Sequence, residues 1–537
     1  MNNSKGSLDS QNNQKKPLCL MFLNQDFGEV RTGIENAALL RKKLFQQFLD
    51  ISPTVITLKH RTNSSDIRQL ALQNRLLESE DVMLNMYEHF QSLSGGADIE
   101  VPEHMYGSSL RSESVAGTPG DERVYDAAGD LVMYIFRSRI TGKVQYINYM
   151  NGLKSHKKWR REHFHPQGFV NTAQFIDGKT DQTEYEYLHR PDGTLAIARY
   201  FHLDGQEKGL AFIQCYDGKG RIVEHFKTER DLLCHWLPRL INDVEKDYCL
   251  ILDRPGIYYE ALKAVRKEID PRITLKIVPI IHAVHVNDAT KIGSSRSNKN
   301  YKAVLDDISD LDALVTLTDE QATDMVLRYG DGNVKVIPHA YLPVADEVDF
   351  SNRETLSVVY LARYAAEKQH SVALDAFGKV VKMIPSAKLH LYGSGSKRKE
   401  IEEHIKTSCL EQSIFVHDFS QNSGAIFAKA GVSILTSTSE SFSLSVLESL
   451  AHGCPVVAFD VPYGPRALIE NGINGFLIPF GDSEQFADRL AQILRDPILH
   501  ERMSRQARRS AERFFPESVA PLWAQLLEEL FPAGALL

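Results

Sequence analysis

The stretch from Thr436 to Asp460 constrains this chain more than any other. It starts as the end of an apolar strand, turns through Thr436-Ser-Thr-Ser-Glu440 and runs on as a helix through Glu448. It then passes Gly-Cys-Pro455 into a second buried strand over 456–459. An apolar strand, a helix and another apolar strand in such close succession read as one unit of an α/β sheet. Two carboxylates, Glu440 and Glu448, sit eight positions apart in it. Glu440 falls in the turn. Glu448 lies on a helix whose Leu444, Val446, Leu447, Leu450 and Ala451 read as core. Positions on such a helix recur on one face every seven or eight residues. A buried carboxylate without a partner is costly, and a pair of ligand hydroxyls would serve as one. The amides of Phe442, Ser443 and Leu444 open the helix and are expected to form an anion site. The bland alternative is a solvated helical Glu with a capping Glu.

The same α/β texture recurs on both sides of an interruption. A strand at 17–23, a glycine-bearing loop, a helix over 34–49 and a strand at 54–59 open the chain. From 101 to 227 short alternating runs are separated by Gly129-Asp130, Thr141-Gly142, Asn151-Gly152, Asp177-Gly178, Asp192-Gly193, Asp204-Gly205 and Asp217-Gly218. Pairs of this type mark hairpin turns, so this segment reads as an antiparallel β-meander inserted in the first α/β domain. Strands at 248–253 and 274–282 resume the α/β pattern. A polar, acidic stretch at 343–354 suits a linker. A second α/β domain follows, with strands at 355–361, 388–392, 414–416, 432–435 and 456–459, and a last helix over 516–530. At 537 residues, two to four domains are expected.

Composition narrows the class. No apolar run approaches the roughly 20 residues that cross a bilayer, and the polar first 16 residues read as a flexible tail without the apolar core of a signal peptide. The six cysteines show no Cys-x-x-Cys spacing, which implies a reducing cytoplasm and no structural zinc. A net charge of −8 argues against a general nucleic-acid binder.

Further residues point to chemistry. Arg363 and Lys368 follow the first strand of the second domain, where such sheets bind ligands, and a cation pair there suits a diphosphate. Gly393-Ser394 follows the strand at 388–392 and allows close approach of a ligand. His282 and His285 end a buried strand at the edge expected to face the cleft. Gly33 follows the first strand. Lys157, Lys158, Arg160 and Arg161 belong to a basic run with aromatics inside the meander. That run is either a docking site for a polyanion or a solvated edge strand whose lysines block pairing.

Glu440-x7-Glu448, the Arg363/Lys368 pair, Pro455 to Pro465 and Glu470 to Ile478 together resemble the retaining glycosyltransferases with two facing Rossmann-like domains, the GT-B fold. The β-insertion is similar to that of bacterial teichoic-acid α-glycosyltransferases and of the glycosyltransferases of serine-rich adhesins. Residues 85–87, 316–321 and 336–340 lean toward the poly(glycerol-phosphate) α-glucosyltransferase branch. The resemblance implies an amino-terminal Rossmann-like domain over 17–100 and 231–345, an insertion over 101–230 for acceptor binding or self-association, and a nucleotide-sugar domain over 346–537. It implies transfer of glucose or N-acetylglucosamine from a UDP-sugar, with retention, to a hydroxyl of a polyol-phosphate polymer or of a serine-rich protein. A non-catalytic partner subunit is the reading from another class. Glu440 and His282 would contact the transferred sugar, and Glu448 the ribose. Gly33, Arg363, Lys368, Gly393, Ser394, His417, Phe442, Ser443 and Leu444 would complete the donor site. No metal or other cofactor is expected, since Asp310-Leu-Asp312 precedes a strand and so lies at the wrong edge of its sheet. A cytoplasmic homo-oligomer is implied, with association at the inner face of the membrane and no nucleic acid.

Overall fold

The computed structural model describes residues 16–28, 33–73, 77, 83–92, 109–151, 157–203, 209–330, 332–342, 350 and 353–532. All but the last residue of the expected tail and most of the expected linker lie outside these, as do residues 154–156 of the basic run.

Two parallel sheets form the frame. The amino-terminal sheet has the order Thr274–Pro279, Asp247–Leu252, Leu18–Asn24, Thr54–Thr57, Met83–Asn85. The carboxyl-terminal sheet has the order Ile414–His417, Lys388–Tyr392, Glu354–Leu361, Ala430–Leu435, Val456–Asp460, Gly475–Pro479. Strands such as Leu-Cys-Leu-Met-Phe-Leu and Tyr-Cys-Leu-Ile-Leu are apolar throughout because helices cover both faces. In each sheet the strand order reverses once, between Leu18–Asn24 and Asp247–Leu252, and between Glu354–Leu361 and Ala430–Leu435. The crevices at the carboxyl ends of these pairs are where such sheets take ligands.

Ten antiparallel strands from Arg111–Ser114 to Ile222–Phe226 form a third sheet in simple sequential order. It leaves the amino-terminal domain after the helix Met86–Gln91 and re-enters at the helix Glu229–Leu240. The Tyr87 hydroxyl donates to the Glu229 carboxylate at 2.7 Å, holding exit and entry together. The hairpins differ in detail from two-residue Asp-Gly turns. At 126–130, 165–169, 190–194 and 217–221 the loop holds three residues, and the left-handed position is taken by Gly129, Gly168, Gly193 and Gly220. In the last of these Gly218 is not the left-handed residue. Asp217 instead opens the turn and accepts from the amides of Lys219 and Arg221.

The basic run corrects one expectation. Lys158–Phe164 lies inside the sheet, paired on one side with Val144–Met150 and on the other with Val170–Ile176. It is not an edge strand, because its neighbours in the sheet are simply its neighbours in sequence.

The two α/β domains are clasped by the last helix, Pro516–Leu530, which crosses back to the amino-terminal domain. Its Trp523 packs on Phe45 at 5.6 Å and beneath the Arg41 guanidinium at 5.6 Å. Trp523→Ala should cost about 3–5 kcal/mol of stability, and chemical denaturation of the variant against wild type checks this.

Candidate active site

The carboxyl edge of the second sheet collects the expected residues. Thr436 to Glu440 leave the strand Ala430–Leu435 on one side of the crevice, and Arg363 and Lys368 follow Glu354–Leu361 on the other. The Glu440 carboxylate accepts from Lys368 Nζ at 2.5 Å and from the Ser437 hydroxyl at 2.7 Å. Burial disfavours the Lys368 ammonium, but Glu440 outweighs burial and holds the lysine pKa above its ordinary value. Arg363 is exposed and pairs with Glu367 at 2.6 Å. The loop after Lys388–Tyr392 must be glycine: a Cβ at Gly393 would stand 2.0 Å from the Ala362 carbonyl. Tyr364 donates its amide to the Ser394 carbonyl at 2.8 Å, so Ser394 is drawn against the Arg363 turn. His417 ends the neighbouring strand, where its ring stacks on Tyr392 at 4.4 Å and meets His390 at 3.0 Å.

Glu448 lies on the helix Leu444–Ala451, which begins after Ser443 in a left-handed conformation. Burial pushes its carboxyl up to about 7, and the Ser423 hydroxyl only partly offsets this. No ion pair to Glu448 occurs among the described residues. Glu448 is thus a half-buried carboxylate with a hydroxyl neighbour and no paired cation among the described residues. Phe442 is 1 % exposed and serves the core, so only its backbone is available to a ligand.

The amino-terminal domain contributes a buried network that crosses its own switch point. Asp253, at the end of Asp247–Leu252, accepts from Asn24 Nδ2 at 2.9 Å, Arg41 Nη2 at 2.6 Å and His282 Nε2 at 2.8 Å. Burial would raise its pKa, but Arg41 and His282 hold the carboxyl well below the usual range. Burial also lowers the His282 pKa. A carboxylate can only accept, so Nε2 carries the proton toward Asp253 and Nδ1 is the ring nitrogen left over. That Nδ1 is buried without a protein partner. His339 stacks on the other face of His282 at 5.3 Å and meets Phe442 edge-on at 5.3 Å. The Ser441 hydroxyl donates to the His282 carbonyl. A Cβ at Gly33 would lie 3.7 Å from Leu444. His282, Gly33, Glu440 and the start of the Glu448 helix thus meet at one interdomain seam.

His285 and the cations of the meander are placed differently from the donor residues. His285 does not face the cleft: it is fully buried beside Tyr463, and burial drives its pKa down to about 4. The four cations of the meander are already engaged. Lys157 donates to the Gly178 carbonyl at 2.6 Å, Lys158 pairs with Asp181 at 3.0 Å, Arg160 with Glu162, and Arg161 donates to Asn148 at 2.6 Å. Asp312, the second acid of the Asp-x-Asp, pairs with Arg266 and Lys276. Sequence reasoning missed Asp253, Arg41 and His339. The available signals were an acid ending an apolar strand and an arginine on the apolar helix face of Ala37, Ala38, Leu44 and Phe45.

Two outcomes follow from these charges. Unfolded, Glu448 ionises near 4.5; folded, near 7. Between these values the folded state keeps a proton that the unfolded state has lost. Its contribution is therefore full below about pH 4.5 and is lost as pH rises toward 7, by at most about 3 kcal/mol at roughly 1.4 kcal/mol per pH unit. Glu448→Gln should flatten this slope in thermal unfolding between pH 5 and 8. Asp253→Asn leaves Arg41 without a buried counter-charge and should cost about 3–5 kcal/mol, read by denaturant unfolding.

Comparison with known proteins matches residues 346–510 to the family model described as glycosyl transferases group 1. The poly(glycerol-phosphate) alpha-glucosyltransferase of Bacillus subtilis is 24% identical over 519 residues, covering 93% of this chain and 73% of that protein. The poly(ribitol-phosphate) alpha-N-acetylglucosaminyltransferase of Staphylococcus aureus is 22% identical over 92% of this chain and 96% of its own length. Among solved structures, the pneumococcal O-GlcNAc transferase GtfA in complex with UDP and GlcNAc superposes with a TM-score of 0.79 at 20% identity, covering 96% of this chain and 99% of that one. Residues 346–510 thus match the glycosyl transferases group 1 model, in a chain with the GT-B fold of two α/β domains and a β-meander inserted in the first.

Proposed function

We propose that the protein is a retaining α-glycosyltransferase that moves glucose or N-acetylglucosamine from a UDP-sugar to hydroxyls of a cell-surface polymer, poly(glycerol-phosphate) wall teichoic acid. The observation that carries this reading is the pair of unlike carboxylates: Glu440 bonded to Lys368, and Glu448 half-buried with no cation paired to it among the described residues. Glu448 suits the two ribose hydroxyls, which would replace its missing partners. Lys368 and Arg363 suit the diphosphate, and the charge that develops on it as it leaves is where such cations lower the barrier. When a diphosphate arrives, Lys368 exchanges part of its bond to Glu440 for the phosphate, which leaves Glu440 facing the sugar.

In the step itself the bond from the anomeric carbon to the phosphate oxygen breaks and a bond to the acceptor oxygen forms on the same face. The acceptor's proton passes to the departing phosphate oxygen. The bare Nδ1 of His282 accepts a hydroxyl of the sugar and holds it in the seam. The cations supply the electrostatic stabilisation, so the reading needs no metal or other cofactor. It puts the protein in the cytoplasm at the inner face of the membrane, as a homo-oligomer formed through the β-insertion. No helix among the described residues is long and apolar enough to cross a membrane.

A second acceptor, the serine and threonine hydroxyls of a serine-rich adhesin, is favoured by the likeness to GtfA. UDP release measured with UDP-glucose or UDP-N-acetylglucosamine, against poly(glycerol phosphate) or a serine-rich peptide, separates the two. The expected result is polymer-dependent release that survives EDTA. Release with the peptide alone would favour the adhesin reading, and none with either would leave a non-catalytic partner subunit. Glu440→Gln should lower transfer by about 10²-fold or more with the fold unchanged, and full activity in that variant would remove Glu440 from the site.

A further inference from the structure

A cavity of about 490 Å³ lies between the β-insertion and the amino-terminal domain, outside the donor seam. One wall is a polar ladder across three adjacent strands. Glu186 stands opposite Gln174 and Arg199 in register. It accepts from Gln174 Nε2 at 3.0 Å and from Arg199 Nη1 at 2.7 Å. Burial alone would raise the Glu186 pKa, but Arg199 outweighs it and holds the carboxyl below its ordinary value. The Nε of Arg199 is buried without a partner. The other wall is the carboxyl edge of the parallel sheet, at Gln25 and Lys59, and Arg230 closes the rim from the start of the helix Glu229–Leu240. Lys59 is exposed, and Arg230 is more than half exposed, with its nearest carboxylate, Glu260, at 3.9 Å.

We infer that this cavity is the acceptor subsite and takes a segment of a polyol-phosphate chain, its hydroxyls on the Gln174–Glu186–Arg199 ladder and its phosphates on Lys59 and Arg230. The inference rests on the polymer reading above and adds where the polymer lies. Three observations carry it. The wall offers fixed donors and acceptors suited to hydroxyls, while the rim offers weakly engaged cations suited to a repeating anion. A neutral peptide would leave those cations unused. The cavity also connects by chain to the donor seam: Gln25 on its wall follows Asn24, whose side chain is bonded to Asp253, the partner of His282. The cations of 157–161, by contrast, are engaged within the meander itself.

The test is the double variant Lys59→Ala/Arg230→Ala in the full chain. Both side chains are exposed, so a thermal unfolding midpoint equal to wild type is expected and confirms folding. Transfer is measured over a range of poly(glycerol phosphate) and of UDP-sugar. The expected result is a polymer KM raised about tenfold or more, roughly the loss of two phosphate contacts. The kcat and the donor KM should stay within about twofold, and the salt dependence of the polymer KM should weaken. A wild type active on polymer with an unchanged KM in the variant would overturn the cavity assignment alone. A wild type active only on a serine-rich peptide, or on neither acceptor, would overturn the polymer reading and the cavity assignment with it.

Discussion

A carboxylate buried in protein must be matched by charge and hydrogen bonds, and Asp253 meets that demand by drawing on distant parts of the chain. Asn24 comes from the first strand, Arg41 from the first helix and His282 from beyond the strand Thr274–Pro279. Arg41 then extends the reach of the cluster, since its guanidinium lies 4.4 Å over Phe22 and 5.6 Å over Trp523 of the last helix. The same charge therefore orients the imidazole at the seam and anchors the helix that joins the two domains. Loss of the carboxylate would reach the site, the core and the domain clasp together, which is why the arrangement is costly to alter piecemeal.

The carboxyl-terminal half handles its two acids differently. Glu440 is satisfied by a lysine, a bond that is strong yet exchangeable for a phosphate. Glu448 is left nearly alone, and burial keeps its proton close to neutral pH. One acid is paired with a cation and the other has none among the described residues. Both settings arise from position along the same strand–turn–helix segment: the turn reaches back to Lys368, while the helix carries Glu448 inward.

The fold class was legible in the sequence because its signals are local. Apolar runs such as 248–252 and 456–459 mark buried parallel strands, and the recurring Gly and Asp residues between 126 and 221 mark a meander. What escaped was set by tertiary context. Arg41 and Asp253 are 212 positions apart, His339 lies further along still, and no spacing relates them. Whether Lys158–Phe164 lies at an edge depends on the order of ten strands, not on its own composition. The left-handed residue of the last hairpin is Gly220 rather than Gly218, since turn length is fixed by the strands it joins. Among the candidate site residues, Glu440 and Lys368 are brought together although they are 72 positions apart, and His285 is turned into the core by a neighbour, Tyr463, from the other domain.

The pinned ends of the meander have a consequence for how such a chain can vary. Exit and entry are tied at Tyr87 and Glu229, so the parallel sheet experiences the ten strands as one closed excursion. The entropic cost of closing a loop grows only slowly with its length, by about 0.6 kcal/mol for each doubling. Hairpins can therefore be gained or lost at the far end of the meander with little effect on the frame that holds Asp253 and Glu448. Such changes would remodel the surface met by a long substrate while the bond-making chemistry stays where it is. On this architecture, substrate range and catalytic machinery are separately heritable.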